Sequence, residues 1–401
     1  MIEIETCKFV QAVDIAGSVV ERRSSIPVLR QMHVHANGAL AISATDLDMG
    51  CEVKLPYTGA AQSPFMLPEP DRLRKAIAHA GGGAILLEPQ DTGAVGVATG
   101  DFRLAVKGVP PEDFPLDIMA GFGRDVLTCV LGGSELDAIA RVSHAMSSEE
   151  TRYYLNGIYL HPIDEWTLRA VATDGHRLFW ANLKVPGAVQ DRSGFTGVIL
   201  PRALIARALK RFARCDEVAF VVGYAAPANA PSAAEGTAPA PVGYPRVAMA
   251  AAVGDLKVTF RSKTIDGTFP DYTRVIPKGH EHRAVMEVAV LRRALQALVV
   301  AGVEKLPGVK FEREGKTLIC SVAAHWGGDD SRATVRVPVL DSVGMPEGWQ
   351  IGFNGRYLLD CLDACRGRLV TFGLSGPNDP VTIVDDVDPV DFGMVLMPLR
   401  V

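Results

Sequence analysis

The sequence has no excess of positive charge and no long apolar run, and its cysteines are odd in number. Lysine and arginine number 41 against 46 acidic residues, a net charge of −5, so charge alone does not make this a nucleic-acid binder unless its cations gather on one surface. No uncharged apolar run reaches the roughly 18 residues of a membrane span. The acidic start, with Glu3 and Glu5, is not expected to be a secretory signal. The seven scattered cysteines indicate reduced thiols in the cytoplasm, not a disulfide framework.

The chain does contain an internal repeat. Its 401 residues are enough for two to four domains at roughly 100–200 residues each. Three segments resemble one another: Ser24–Pro56, Thr151–Pro186 and Lys305–Pro338. In each, alternating apolar residues form three short runs separated by turn residues. This pattern predicts a three-stranded antiparallel meander in each segment.

Amphipathic helices are predicted on both sides of every meander. The preceding helices are expected at residues 9–23, 134–148 and 290–305, and the following ones at residues 69–83, 201–215 and 354–367. The chain is therefore predicted to be an α+β protein with three like domains, at residues 1–124, 125–280 and 281–401. The Ala- and Pro-rich segment 225–243 is expected to be a mobile loop between two strands of the middle domain.

One predicted helix carries a row of cations. Arg207, Lys210, Arg211 and Arg214 recur at spacings of three and four, opposite an apolar face that includes Leu204. A solvated helix face is one interpretation of this pattern. Basic faces on several equivalent helices of an acidic chain favour the other interpretation, one shared positive surface facing a phosphate backbone.

The stretch Val171–Trp180 contains a possible acid–base pair, Asp174 and His176. No Gly-x-Ser-x-Gly turn or phosphate-binding loop accompanies the pair. A structural hydrogen bond in a turn is the competing interpretation. A hydrolase that uses these two residues stays open as an alternative function.

Three pairs of residues could supply metal ligands: His33 with His35, His280 with His282, and Cys361 with Cys365. None has the spacing of a zinc site. The two cysteines are expected on the apolar face of the last helix. We therefore predict no metal and no cofactor.

Five blocks of sequence, in this order, resemble the bacterial sliding clamps, the beta subunits of DNA polymerase III holoenzyme: Arg152–Ile158, Val171–Leu178, Ser262–Lys278, Ile351–Asp360 and Met397–Val401. The resemblance implies the DNA-clamp fold, with three repeated domains that each pack two helices on antiparallel sheets. It also implies a homodimer of two chains closed head to tail into a ring.

The resemblance implies a role without catalysis. A clamp is a processivity factor that encircles double-stranded DNA without reading its sequence. It tethers the replicative polymerase, the clamp loader and repair polymerases through short peptide motifs. Such a protein is expected in the cytoplasm, associated with the nucleoid and not with a membrane. An accessory clamp with a different set of partners is the alternative within the family.

The resemblance also assigns two sets of residues. The pocket for partner peptides would use Leu155, Thr173, Gly175, His176, Arg177, Leu178, Pro270, Arg274, Val275, Asn354, Tyr357, Met397, Pro398, Leu399 and Arg400. With the cationic helix included, the residues expected to contact DNA are Arg23, Tyr153, Tyr154, Arg202, Arg207, Lys210, Arg211 and Arg214.

Overall fold

The computed structural model of the chain describes residues 1–90, 92–190, 195–225, 244–302, 308–324, 331–388 and 390–400. Six α-helices lie among these residues: α1 (Thr6–Ala16), α2 (Pro70–Ala80), α3 (Gly133–Val142), α4 (Arg202–Phe212), α5 (Val288–Ala301) and α6 (Gly355–Ala364). The predicted loop at 225–243 lies outside the described residues from position 226 onward.

The described part of the chain also contains 27 strands. The first ten are β1 (Ile2–Glu5), β2 (Gln31–Asn37), β3 (Ala39–Thr45), β4 (Met49–Leu55), β5 (Thr58–Gly59), β6 (Gln62–Pro68), β7 (Ala84–Pro89), β8 (Ala94–Thr99), β9 (Phe102–Lys107) and β10 (Phe122–Gly132). The next eight are β11 (Gly157–Pro162), β12 (Thr167–Thr173), β13 (Arg177–Lys184), β14 (Val189–Gln190), β15 (Val198–Pro201), β16 (Glu217–Ala225), β17 (Arg246–Val253) and β18 (Leu256–Lys263). The last nine are β19 (His282–Glu287), β20 (Gly308–Glu314), β21 (Thr317–Ala323), β22 (Arg332–Pro338), β23 (Asp341–Val343), β24 (Gln350–Asn354), β25 (Leu369–Leu374), β26 (Val381–Asp385) and β27 (Phe392–Leu396).

The chain divides into two compact units. Unit 1 comprises Met1–Leu136 and Val185–Asp266. It contains a sheet in the order β5-β1-β7-β8-β9 and a second one in the order β14-β10-β16-β17-β18-β4-β3-β2-β6. The antiparallel pair β4–β18 makes the second sheet continuous between strands from the first and the middle thirds of the chain. The apolar faces of its helices are buried, and Phe212 of α4 meets Phe260 of β18 edge to face at 5.7 Å.

Unit 2 comprises Asp137–Lys184 and Gly267–Val401. Of its larger sheet, the strands that belong to this unit follow the order β11-β12-β13-β27-β26-β25-β19-β23, and a smaller sheet has the order β22-β21-β20-β24. The pair β13–β27 joins strands from the middle and the last thirds of the chain. Helices α5 and α6 bury residues such as Leu291, Leu295, Leu358 and Leu362. Each unit therefore has its own apolar core.

The three predicted meanders are present. They are β2-β3-β4, β11-β12-β13 and β20-β21-β22, each antiparallel throughout. Each third of the chain also contributes two helices, which confirms the predicted α+β repeat.

All six helices end before the residue that the sequence predicts. Helix α1 begins three residues before the expected Phe9 and ends at Ala16 instead of residue 23. At Gly17 an added Cβ would lie 2.6 Å from the carbonyl oxygen of Val13 and 3.2 Å from Cβ of Pro70 in α2, so this position has no room for a side chain. Beyond it the N–H groups of Ser18 and Val19 donate to the carbonyls of Ile15 and Ala16, and the chain leaves the helix. Helix α6 begins as predicted, because the side chain of Asn354 accepts hydrogen bonds from the N–H groups of Arg356 and Tyr357. In the described residues, no helix has both the length and the hydropathy needed to cross a membrane.

Candidate functional site

The connection between β12 and β13 is a tight turn held by its own side chains. Thr173 Oγ1 donates to the carbonyl of Arg177 at 2.7 Å and accepts from the N–H of Gly175 at 3.1 Å. Asp174 Oδ1 accepts from the N–H groups of His176 and Arg177 at 3.0 and 3.1 Å. Gly175 has a φ of 89°, a left-handed conformation that glycine adopts without strain. The turn therefore fixes the direction of the two side chains that follow it.

The first repeat contains the same turn between β3 and β4. Thr45 Oγ1 donates to Met49 O at 2.9 Å and accepts from Leu47 N at 3.0 Å. Asp46 Oδ1 accepts from the N–H groups of Asp48 and Met49 at 3.1 and 2.7 Å. Leu47, in the place of the glycine, has a φ of 76°. The Thr-Asp pair that the two turns share is therefore architectural, and the side chains after it distinguish the second turn.

Those distinguishing side chains form a packed wall and not an acid–base pair. Asp174 Oδ2 accepts from Arg177 Nε at 3.0 Å, while the imidazole of His176 stacks on the ring of Tyr357 at 5.9 Å. The guanidinium of Arg177 also binds Asp360 and lies 4.5 Å above the centre of the Tyr357 ring. The carboxylate is thus committed to backbone donors and an arginine, and the imidazole to an aromatic ring.

Arg177 is a buried and fully compensated cation. Its side chain is 9% exposed. Burial lowers the pKa of Arg177, but the hydrogen bond to Asp360 and the charges of Asp360 and Asp174 outweigh burial and raise that pKa above its ordinary value. The two carboxylates and the aromatic ring therefore hold the guanidinium in one position.

A cavity of about 260 Å³ opens beside this wall within unit 2. Its lining consists of Arg152, Tyr154, Leu155, Thr173, Gly175, His176, Arg177, Leu178, Pro270, Asp271, Tyr272, Val275, Val395 and Met397. Leu155, Leu178 and Val395 are at most 3% exposed, whereas Val275 and Met397 are 46% and 39% exposed. The cavity combines a buried apolar surface, accessible apolar side chains and adjacent hydrogen-bond donors, which suits an apolar anchor residue of a peptide.

The structure brings together nine of the residues expected at the peptide pocket: Leu155, Thr173, Gly175, His176, Arg177, Leu178, Pro270, Val275 and Met397. They come from four separate stretches of the chain. Met397 is fixed next to the turn because its N–H donates to the carbonyl of His176 at 2.9 Å.

Six other expected pocket residues do not line the cavity: Arg274, Asn354, Tyr357, Pro398, Leu399 and Arg400. Arg274 is exposed, and its guanidinium binds Asp271 at 2.7 Å. Asn354 caps α6, and Tyr357 supports the wall from behind. The N–H of Leu399 donates to the carbonyl of Gly352 at 2.8 Å, so the chain after Met397 continues along β24.

Five residues that line the cavity were not among the predicted pocket residues: Arg152, Tyr154, Asp271, Tyr272 and Val395. Val395 is the direct cross-strand partner of Leu178, so its place depends on a pairing between distant strands. The hydroxyl of Tyr272 lies 2.8 Å from His161 Nε2, and Tyr159 stacks on both the His161 and the Phe269 ring. This aromatic cluster holds one side of the cavity in place.

The cations of α4 differ in their surroundings. Arg202, Lys210 and Arg214 are exposed. Arg207 and Arg211 are half-buried: Arg207 Nε donates to the carbonyl of Ser18 at 2.9 Å, and Arg211 binds the side chain of Asp14 at 2.8 Å. The expected direct contact of Arg207 and Arg211 with DNA therefore conflicts with their position, because both guanidinium groups are committed to α1 and the residues just after it.

The remaining residues expected at DNA are in different environments. Arg23 is exposed in the segment after α1. Tyr153 and Tyr154 lie in a 3₁₀ helix, Glu150–Leu155, and their rings meet edge to face at 5.8 Å. Tyr153 is 54% exposed, while Tyr154 lines the cavity. Tyr153 is thus the more accessible of the two.

The three candidate metal-ligand pairs have other partners. Among the described residues no group of three or more histidine, cysteine or acidic side chains has the arrangement of a metal site. His33 stacks on Phe114 at 5.1 Å, and His280 Nε2 lies 2.7 Å from Thr382 Oγ1. Cys361 and Cys365 are buried as predicted, and burial raises the pKa of the Cys365 thiol to about 12.

Comparison with known proteins gives matches along the chain. The model of the DNA polymerase III beta subunit central domain matches residues 134–271, and that of the C-terminal domain matches residues 273–400. The beta sliding clamp of Caulobacter vibrioides is 33% identical, with 99% of each chain covered. The beta sliding clamp of Pseudomonas aeruginosa is 31% identical over 97% of this chain and 96% of that protein.

Solved structures give the same result. The crystal structure of the Caulobacter crescentus beta sliding clamp, with PEG bound to a putative beta-motif tethering region, has a TM-score of 0.83 and 31% identity. That match covers 100% of this chain and 98% of the other. The Pseudomonas aeruginosa clamp bound to griselimycin has a TM-score of 0.82 and 28% identity, with 100% and 99% covered.

Proposed function

The chain belongs to the DNA polymerase III beta subunit family, the bacterial beta sliding clamps. From this premise we propose that its cavity binds partner peptides and that its helices contact DNA. It is a processivity factor and not an enzyme. It binds DNA, forms dimers, and tethers the polymerase and other proteins.

The cavity of unit 2 is the docking site for partner peptides. The observation that carries this proposal is the meeting of buried Leu155, Leu178 and Val395 with the fixed Arg177 and His176 in one cavity. At about 260 Å³ the cavity is small beside the roughly 300–1,000 Å³ of sites that enclose whole ligands. It therefore takes one or two apolar or aromatic anchors, while the rest of the peptide stays outside.

DNA is contacted through the exposed cations Arg202, Lys210 and Arg214, with Arg23 and Tyr153. Phosphate contacts of this kind carry no sequence information, as a sliding protein requires. The exposed ring of Tyr153 can stack on a base of an exposed strand. Because the chain has a net charge of −5, attraction restricted to a few side chains would leave the bound protein mobile.

The chain has three domains, at residues 1–124, 125–280 and 281–401, and two copies close head to tail into a ring around the duplex. The three meanders and the three pairs of helices support this division, in which the middle domain contributes residues to both compact units. The replicative polymerase, the clamp loader and repair polymerases are the partners, and the protein works in the cytoplasm at the nucleoid.

A matched pair of variants tests the docking site. Val275 and Val343 are 46% and 55% exposed, but only Val275 lines the cavity. A labelled peptide that ends in Leu-Phe should bind the wild type with a Kd on the order of micromolar, measured by fluorescence anisotropy. Val275→Asp should weaken binding by about 10-fold or more, or about 1.4 kcal/mol, because it places a charge beside the anchor.

Val343→Asp adds the same charge outside the cavity and should leave the affinity within about 2-fold of the wild type. The docking site is wrong if both variants bind the peptide as the wild type does, or if the wild type shows no saturable binding.

A further inference from the structure

One carboxylate in unit 1 holds arginines from two other helices. Asp14, near the end of α1, lies 2.8 Å from Arg211 Nη2 of α4, and its other oxygen makes a longer ion pair of 3.4 Å, without a hydrogen bond, with Arg74 Nε of α2. The same Arg211 nitrogen also donates to the main-chain carbonyl of Asp14 at 3.2 Å. Asp14 thus joins three helices through a single side chain.

The arrangement divides the cations of α2 and α4 into two groups. Arg74 and Arg211 are 29% and 18% exposed and are directed to Asp14. Lys75 and Lys210, their neighbours in sequence, are exposed. Helix periodicity explains the division, since adjacent residues point about 100° apart, and only one of each pair can face α1.

We propose that Asp14 is a positioning residue that limits how many cations the helices present to DNA. It neutralises Arg74 and Arg211 and holds them against α1, so that a phosphate backbone meets the exposed cations only. The inference rests on the proposed function, in which the cations of α4 contact the duplex, and it extends that contact to α2. In this arrangement one acidic residue keeps the attraction for DNA weak enough for the protein to slide.

Charge counting supports a role beyond folding. Asp14 is 42% exposed, and ion pairs this exposed contribute little to the stability of a fold. The affinity for DNA, in contrast, depends steeply on the number of available cations, because the slope of log K against log salt changes by about 0.9 for each phosphate neutralised. Removing the Asp14 charge should therefore change DNA binding much more than it changes folding.

The test is the salt dependence of binding to a linear duplex, measured by anisotropy on the full chain between about 50 and 200 mM salt. Asp14→Asn should steepen the slope by about 0.9 to 1.8, for one or two freed arginines. Asp341→Asn is the matched control, because it makes the same charge change in an exposed pair with Arg283 on strand β19. It should leave the slope unchanged.

A second pair of variants keeps the test valid if Asp14→Asn does not fold. Lys210→Gln should reduce the slope by about 0.9, whereas Arg211→Gln, which removes a cation already held by Asp14, should change it little. The inference is wrong if Asp14→Asn leaves the salt slope unchanged, or if Asp341→Asn steepens it as much as Asp14→Asn does. It is also wrong if Arg211→Gln reduces the slope as much as Lys210→Gln does. A wild type without salt-dependent DNA binding would instead overturn the proposed function.

Discussion

The most quantitative prediction concerns Arg141 of α3, a buried cation in unit 2. Its side chain is 3% exposed and lies between Asp385, which is 0% exposed, and Asp388, at N–O distances of 2.9 and 2.6 Å. Nε also donates to the carbonyl of Ala364 at 2.7 Å, and the guanidinium lies 3.6 Å from the centre of the Phe392 ring. One side chain therefore ties α3 to α6 and to the last strands.

Arg141→Met keeps much of the apolar stem and removes the charge. Breaking a buried pair costs about 3–5 kcal/mol, because the partner is left charged and buried. Asp385 keeps N–H donors from Arg366 and Asp388 at 2.8 and 3.0 Å, so we expect the lower end, about 3 kcal/mol. For a unit of about 150–250 residues, this lowers Tm by about 6–12 °C.

Calorimetry of the full chain measures the effect, with Arg366→Met as the control. The Arg366 side chain pairs with Asp137 at 2.8 Å, and both are more than 40% exposed, so this loss should cost about 0–1 kcal/mol. The reasoning is refuted if Arg141→Met melts within about 2 °C of the wild type, or no lower than the control.

The same pair predicts a dependence on pH. Burial raises the pKa of Asp385, but hydrogen bonds from the N–H groups of Arg366 and Asp388, with the charge of Arg141, hold it below the ordinary value of 3.8. A depressed carboxyl pKa contributes stability that is present above the unfolded value and is lost as pH falls through the folded value. The Tm gap between the wild type and Arg141→Met should therefore narrow below pH about 4.

Three further predictions concern the cavity. Tyr357→Ala removes the ring that supports His176 and should weaken binding of the Leu-Phe peptide by about 10-fold, whereas Tyr357→Phe keeps the ring and should keep the affinity. Equal affinities of the two variants, measured by anisotropy, would contradict this role of the ring. Gly175→Ala places a residue with a Cβ at a left-handed φ of 89° and should destabilise the chain by about 1–3 kcal/mol. An unchanged midpoint in urea unfolding would disprove this strain. Burial lowers the pKa of His161, which contacts Tyr272, so the free energy of unfolding should fall as pH drops below about 6.5, where the unfolded chain takes up the proton. In urea unfolding between pH 7 and 5, His161→Phe should reduce this fall, and an unchanged dependence on pH would exclude this histidine as its source.

Local sequence patterns predicted the repeated elements well. Alternation of apolar residues was enough to predict all three meanders, and the Asn354 side chain set the start of α6 as expected. Helix α1 shows the limit of such patterns. Its apolar spacing continues past Ala16, but Gly17 packs closely against Pro70 of α2 and the chain then turns out of the helix. Apolar spacing indicates neither the contact nor the turn.

The same limit explains what was missed in the cavity and on α4. Thr173, Gly175, His176, Arg177 and Leu178 belong to one block of sequence that resembles the sliding clamps, so the resemblance predicted them together. Val395 and Tyr272 join them through a distant strand pair and an aromatic cluster. On α4, helical spacing placed Arg211 on a polar face but could not indicate that Asp14 of another helix would meet it there.

Retention on DNA of different topology tests the central claim most directly. The wild-type protein is loaded onto a nicked circular duplex, and its retention is followed before and after the circle is cut once into a linear molecule. A ring that encircles DNA and holds it weakly should stay on the circle and leave the linear duplex through its free ends. Equal retention on both forms would contradict the account, because it would mean that affinity and not topology holds the protein on DNA.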